Sequence, residues 1–515
     1  MIVLFNPLST TPGKQPLPLS VMALAAVLEG SPDQDSPREA WSLVDGNVVT
    51  DPAAEIVARL STVPASELSL LAVSVMPGPQ LTQAVSVCRR VRHVLPHVPI
   101  VWGGYFPTQH ADIVLRAPYV DFVIRSQGEQ ALLQLVQVLR TRGLLNSVGG
   151  LSWKASPRAD ASAAANASAE RDVQIIDNPV QALATLDELP ELPYHRVDMG
   201  HYVHSNYLGT RTVAHNSSFG CPFACSFCAV VAMSNRRWLA QSPARVERVM
   251  RHLVATYRVN AVQMHDMDFF ISEARTAEFC DRIADLGLRW WALGRVDTLM
   301  QYSDATWAKM ARAGLAMIFS GAESGTDEAL KSMNKGGTSS PRLTLELARR
   351  MRTYKIVPEF SFVLGCPPDP LKDVATNFDF IRRVKRINPS TEIVLYTYTP
   401  VPLDGALYTE ARRAGFAFPE TLEEWATPRW QQLSMRRGDG IPWMDGGVRR
   451  RVRNFERVIN AYYPTVTDSR LTGWHRAALK AASAWRYGVK WYGAPYELRA
   501  LQRLIQYQRP ETTGF

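Results

Sequence analysis

Three of the six cysteines, Cys221, Cys225 and Cys228, fall within eight positions of the stretch Gly220-Cys221-Pro222-Phe223-Ala224-Cys225-Ser226-Phe227-Cys228. Thiolates spaced CxxxCxxC can converge on one metal centre from a single short loop. Three are one ligand short of filling a four-iron cluster, so one iron would stay open to a ligand that is not protein, an arrangement for chemistry rather than scaffolding. Structural zinc is the alternative, but zinc closes its shell with four ligands. No fourth Cys or His stands at finger spacing: His215 lies upstream, and Cys280 and Cys366 are isolated. A disulfide is disfavoured where thiols stay reduced. Cys88, Cys280 and Cys366 read as core thiols.

The elements that must position this loop come from a chain of 515 residues, 46% hydrophobic and 20% charged, too long for one ordinary core. The start Met1-Ile2-Val3-Leu4-Phe5-Asn6-Pro7 lacks the basic, apolar character of an export signal, and no run of about eighteen apolar residues occurs. The expected location is the cytoplasm. Net charge is +9, yet from Trp425 onward there are 16 Arg and Lys against 6 Asp and Glu. The basic character belongs to the tail, which argues against nucleic-acid binding by the whole protein and for a local surface facing something anionic.

Residues 1–150 alternate apolar strands (Ile2 to Phe5, Trp41 to Val44, Leu68 to Val75, Ile100 to Trp102, Val120 to Ile124) with helices such as Leu19 to Leu28 and Val85 to Val94. That order predicts α/β structure: a doubly wound, Rossmann-like parallel sheet. Ligands of such sheets sit at the carboxyl ends of the strands, here Asn6-Pro7, Ser74 to Pro79, Gly103 to Pro107 and Gly128-Glu129. No GxGxxG follows the first strand, which disfavours a dinucleotide. Residues 151–200 read as a linker with an Ala/Ser/Asn run over 155–169. Residues 201–415 supply six further strand-helix units, whose strand ends carry His265-Asp266-Met267-Asp268, Gly294-Arg295, Gly321-Ala322-Glu323-Ser324-Gly325 and Gly365-Cys366-Pro367. This predicts a (βα)6 partial TIM barrel with its site on the C-terminal face.

The cysteine motif, the six units and the upstream doubly wound domain together resemble the cobalamin-binding radical S-adenosylmethionine (SAM) enzymes. The resemblance covers residues 1–415 and extends to Trp102-Gly103-Gly104-Tyr105-Phe106-Pro107, to Asp121 through Glu129, and to Leu186-Asp187-Glu188-Leu189-Pro190. It implies that Cys221, Cys225 and Cys228 hold a 4Fe-4S cluster and that Phe227, Asp266, Asp268, Arg295, Glu323 and Gly365 contact SAM. It also implies cobalamin against Asn6, Pro7, Ser74, Met76, Pro77, Gly103, Gly104, Tyr105, Gly128 and Glu129. This sequence lacks the DxHxxG loop that donates an axial histidine, has Ser126-Gln127-Gly128-Glu129 where Gly-Glu-Gly-Glu is usual, and has Phe219 in place of an Arg. The implied activity is methylation of an unactivated carbon in a small-molecule or lipid-like substrate, with a flavodoxin or ferredoxin as reductant. The implied alternatives are a radical cyclase or rearrangement enzyme like the anaerobic Mg-protoporphyrin ester cyclases, and a non-catalytic cobalamin and iron-sulfur sensor.

Residues 416–515 lie outside the resemblance and predict a basic, aromatic-rich, mainly helical region, with six of the thirteen tryptophans (425, 430, 443, 474, 485, 491). Two readings stand: a helical cap that closes the barrel with its arginines in water, or a peripheral surface for anionic lipid, since Trp beside Lys and Arg is the composition of interfacial helices.

Overall fold

The computed structural model describes residues 1–9, 15–30, 39–64, 66–155, 174–335, 338–434, 440–468 and 470–505. The Ala/Ser/Asn run from 156 to 169 and the last ten residues lie outside the described residues. The chain forms two compact units. The first contains Met1–Asp198, Ala229–Leu239 and Phe418–Ser434, and the second contains Met199–Cys228, Ala240–Ala417 and the described residues after Ser434. The basic C-terminal region is thus divided, residues 418–434 packing with the first unit and the remainder with the second.

In the first unit, β1 (Ile2–Asn6) is wholly buried between β2 (Trp41–Asp45) and β3 (Leu70–Ser74), parallel to both, with Ile2 opposite Trp41 and Leu70. The sheet continues through β4 (Ile100–Gly103) and β5 (Phe122–Ile124), also parallel. Successive side chains point to opposite faces, so β1 feeds two cores. Val3 and Phe5 pack in the core with Ile56, Leu60, Val85 and Val91 from helices Pro52–Ser61 and Pro79–Val94, and Ile2 and Leu4 join Val21, Leu28, Leu132 and Leu135 from helices Leu19–Glu29 and Glu129–Thr141. The expected doubly wound sheet is present. Two features go beyond the expectation. Helix Pro52–Ser61 starts at Asp51, whose carboxylate accepts the Ala54 N–H at 3.0 Å, and β6 (Leu151–Lys154) and β7 (Ile175–Asp177) extend the sheet edge antiparallel.

In the second unit, β8 (Thr212–His215) is followed by the short strand β9 (Ser218–Gly220) ahead of the cysteine loop; β10 (Trp238–Ala240) follows the loop in sequence, its Trp238 and Leu239 belonging to the first unit. Strands β11 (Ala261–Met264), β12 (Arg289–Leu293), β13 (Leu315–Glu323), β14 (Val357–Leu364) and β15 (Glu392–Thr397) complete a six-stranded parallel sheet in the order β15-β14-β13-β12-β11-β8. Helices between strands begin at Ser242, Ser272, Ser303, Ser340 and Asp369, each side chain accepting the N–H three residues on. The six expected strand-helix units are all there.

The N-terminal rim of these strands is closed by a buried polar group. Glu359 of β14 lies opposite Glu392 of β15 and accepts the indole N–H of Trp291 at 2.9 Å. Glu392 in turn accepts Thr465 Oγ1 and the Val466 N–H, both at 2.7 Å, so the chain after helix Gly446–Tyr462 seals that rim. Burial, with the neighbouring Glu392 adding to it, pushes the Glu359 carboxyl up to about 7. A carboxyl raised in the fold stabilises fully below its unfolded value near 4.5, and the contribution is lost as pH rises through about 7. Glu359→Gln keeps an acceptor for Trp291, so it should flatten that loss. In denaturant titrations the variant is expected to gain up to about 3 kcal/mol over the parent at pH 8 and little at pH 5; equal gains at both pH values would contradict this account.

Candidate functional site

The cysteine loop is tied down by chain that the sequence reading passed over. Ser226 donates its N–H to Met333 O at 3.0 Å and its hydroxyl to Ser332 O at 3.2 Å, and Asn334 Nδ2 donates to Ala224 O at 2.7 Å. Cys225 is buried, while Cys221, Phe227 and Cys228 are half-buried. Burial, with Asp268, Cys228 and Cys225 nearby, pushes the Cys221 thiol up to about 12. Thiols so placed ionise only where a cation compensates the charge. Among the described residues no group of three or more His, Cys, Asp or Glu side chains is arranged to hold a metal ion. The donor set itself, three thiols on one anchored loop, fits a cluster with one iron left open.

The strand ends surround this loop with buried charge. Asp266 accepts the Ser217 N–H and hydroxyl and the Ser218 hydroxyl, so its carboxylate holds the residues that lead into the loop. Asp268 accepts the Phe270 N–H at 3.3 Å, and burial drives it to about 7 against the lowering effect of Arg295. Arg295 lies over the Phe223 ring at 3.8 Å, donates to Cys225 Sγ at 3.2 Å, and forms a two-point pair with Asp297 at 3.0 and 2.7 Å. Glu323, at the end of β13 where the register shifts, has φ of 60° and pairs with Lys335 at 2.9 Å; Ser361 adds a hydroxyl at 3.3 Å. Lys335 also donates to Gly321 O at 2.7 Å. The sequence reading named Asp268, Arg295 and Glu323 and missed Asp297 and Lys335. Asp297, two residues past Arg295, carried a visible signal; Lys335 follows a helix, away from any strand end, and carried none.

Gly365 closes β14 with φ of 75°, where a Cβ would meet Met444 Sδ at 2.3 Å. Its N–H goes to Asp373 at 2.7 Å and its carbonyl accepts the Trp443 indole N–H at 2.8 Å. The tail thus reaches one of the named strand ends with Trp443 and Met444.

In the first unit the residues named for cobalamin gather at the carboxyl edge of the parallel strands, with differing roles. Asn6 is buried and spent on its neighbours, donating to Asp45 at 3.0 Å and accepting from Gln80 at 3.4 Å. Ser74 shares a hydrogen bond with Ser20 at 3.1 Å, Met76 is 55% exposed, and Glu129 opens helix Glu129–Thr141, its carboxyl raised by burial. Gly104 has φ of 94°, and a Cβ there would meet Ser74 Oγ and the Val75 backbone at 3.1 to 3.3 Å. Glycine at position 104 is what lets the chain after β4 pack this closely on the chain after β3. Gly104→Ala combines a left-handed backbone with contacts to rigid backbone atoms, so it is expected to cost about 1–3 kcal/mol in denaturant titrations; an unaltered stability would contradict this.

The B12 binding domain family matches residues 10–136 and the Radical SAM superfamily matches residues 215–381. The anaerobic magnesium-protoporphyrin IX monomethyl ester cyclase of Synechocystis sp. is 29% identical over 272 residues, 51% of this chain and 50% of that protein. A protein of Pyrococcus horikoshii named uncharacterized methyltransferase PH0819 is 24% identical over 304 residues, 58% of this chain and 61% of that one. The chain therefore spans between half and about three fifths of the length of these two curated relatives. Among solved structures, the radical SAM methyltransferase TsrM from Kitasatospora setae, with cobalamin and a [4Fe-4S] cluster bound, superposes with a TM-score of 0.61 at 17% identity, over 80% of this chain and 78% of that one. The cobalamin-dependent SAM radical enzyme OxsB, with aqua-cobalamin and SAM bound, gives 0.60 at 19%, over 82% and 56%. At these identities the structural likeness speaks for the fold. The chain thus carries a B12 binding domain match ahead of a Radical SAM superfamily match, the domain order of the cobalamin-binding radical SAM enzymes that it resembles.

Proposed function

We propose that the protein is a C-methyltransferase acting on an unactivated carbon of a small-molecule or lipid-like substrate. The observation that carries the reading is the pairing of the two domain matches in one chain. When bound, the cluster supplies the electron that splits SAM to methionine and a 5′-deoxyadenosyl radical, and cobalamin supplies the methyl group. In net terms the substrate C–H and two SAM take up two electrons from a reducing protein such as a flavodoxin or ferredoxin. The products are the methylated substrate, S-adenosylhomocysteine, methionine and 5′-deoxyadenosine.

In this reading Cys221, Cys225 and Cys228 hold the cluster. Arg295, fixed by Asp297 and stacked on Phe223, keeps a positive charge against the Cys225 sulfur. Asp268, Glu323 and Gly365, with Phe227, hold SAM, while Asp266 acts one step back through Ser217 and Ser218. The edge around Pro7, Ser74, Met76, Pro77, Gly103, Gly104, Tyr105, Gly128 and Glu129 holds cobalamin, with Asn6 bracing it through Asp45. A cytoplasmic location and a C-terminal contact with a membrane surface belong to the same proposal, whereas the expected division at 1–150, 151–200, 201–415 and 416–515 gives way to two units, since the described residues of 151–198 and residues 418–434 pack with the first. Among the described residues no helix is long and apolar enough to cross a membrane.

SAM carrying a deuterated methyl group tests the reading. Label in the product supports methyl transfer, and a product of unchanged carbon count sinks it. The 29% identity to a cyclase favours cyclisation as the second reading, which the same experiment would leave standing. Reconstituted protein that never forms 5′-deoxyadenosine would leave only sensing.

A further inference from the structure

Most of the large apolar side chains exposed in the second unit are collected in one region. Trp474 (66% exposed), Trp485 (49%), Val489 (69%), Trp491 (49%), Tyr496 (69%) and Leu504 (82%) all belong to helices Gly473–Gly488 and Tyr496–Leu504 or the turn between them. Along helix Gly473–Gly488 the exposed positions Trp474, Ala477, Ala481, Ala484, Trp485 and Gly488 recur at helical spacing, flanked by Lys480, the one charged residue exposed on that helix. The inward face of the same helix is already used: Leu479, Ser483, Arg486 and Tyr487 are buried, with Tyr487 stacked on Tyr462 at 4.1 Å. This is an outward apolar stripe on a helix that has satisfied its core.

Charge lies beside it. Arg382, on helix Pro370–Ile387, donates to Tyr487 O at 2.6 Å and to Tyr492 Oη at 3.2 Å, and Lys490 pairs with Asp379 of that helix at 2.7 Å. One helical turn beyond Arg382, about 5.4 Å along the axis, Arg386 joins Arg349, Arg352, Thr353 and Ile387 in lining a cleft of about 550 Å³. All three arginines are exposed, and among the described residues no carboxylate pairs with any of them. A cleft of three uncompensated guanidinium groups suits a phosphate, for which the planar fork of donors is well matched.

We propose that this cleft and the aromatic stripe form one docking surface for an anionic phospholipid bilayer, the arginines taking lipid phosphates while Trp485, Val489 and Trp491 enter the headgroup boundary. The proposal rests on the membrane-contact part of the function proposed above and adds the site that selects the charge. The neighbourhood of tryptophan and arginine, with basic Lys480 the only charge exposed on the helix of the stripe, favours an anionic bilayer over a protein partner.

The test is co-sedimentation of the full chain with phosphatidylglycerol-containing vesicles and with pure phosphatidylcholine vesicles across a salt series. Binding to the anionic vesicles, weakening with salt, is expected. Each surface arginine near an anionic leaflet contributes about fivefold, so Arg349→Gln/Arg386→Gln should lose on the order of 25-fold in affinity for them at unaltered Tm. Trp485→Ser/Trp491→Ser, both exposed positions, should lower binding to both vesicle types. Equal binding to the two vesicle types, or unaltered binding by the arginine variant, would overturn the cleft's role while leaving tail contact in place. No vesicle binding at all would overturn tail contact too. Product labelling from deuterated-methyl SAM reads the methyltransferase proposal independently of any of these results.

Discussion

Cys225→Ala is expected to lose the iron and sulfide retained after anaerobic reconstitution, and with them 5′-deoxyadenosine formation. Removing an outer partner of a metal ligand costs roughly 10–100-fold, so removing a ligand should exceed that, and Cys221→Ala and Cys228→Ala should behave alike. Cys225 differs in one respect. It is the buried thiol, and Arg295 donates to its sulfur at 3.2 Å, so its loss also leaves that guanidinium contact unmade. Cys88→Ala, Cys280→Ala and Cys366→Ala serve as controls, being buried thiols outside the loop. A full complement of iron in any of the three loop variants, or loss of iron in the controls, would refute the assignment of the cluster to this loop.

Lys335→Met is expected to destabilise the second unit by about 3–5 kcal/mol, because it strands a buried carboxylate. The Lys335 and Glu323 side chains are only 4% and 7% exposed, and the ammonium also satisfies the Gly321 carbonyl at the register shift of β13. Adding Glu323→Gln should recover much of the loss, since an apolar and neutral replacement of both partners removes the unpaired charge. Chemical denaturation gives the stability. SAM binding separates structure from function: if Glu323 holds the cosubstrate, the double variant regains stability yet binds SAM more weakly than the parent. A Lys335→Met protein as stable as the parent would show that the pair contributes nothing to the fold.

Both predictions concern a site that is partly legible in the amino-acid sequence. The cysteine loop could be read because its three ligands are local in sequence, and the strands could be read because burial on both faces leaves short continuous apolar runs. Ile2 to Phe5 and Trp290 to Leu293 are such runs. Helix Pro52–Ser61 went unread although Asp51-Pro52 is a strong start signal, and β6 and β7 went unread because strands of four and three residues leave too little pattern to see.

Residue types and local spacing therefore settled the α/β class, the strand ends and the three thiols, since each of these is decided within a few consecutive residues. Partnership was decided by packing across long separations. The sequence offers Asp266 and Asp268 as equals, but the fold commits Asp266 to Ser217 and Ser218 and leaves Asp268 beside Arg295. It offers Glu323 without Lys335, twelve residues on, and Gly365 without Trp443 and Met444, which come from the tail. The same holds for the tail's charge. Sequence counts sixteen basic residues there, while the unpaired cleft lies on Arg349, Arg352 and Arg386, outside the tail. A charge count cannot tell a paired arginine from an unpaired one, because pairing depends on which helix the chain folds against.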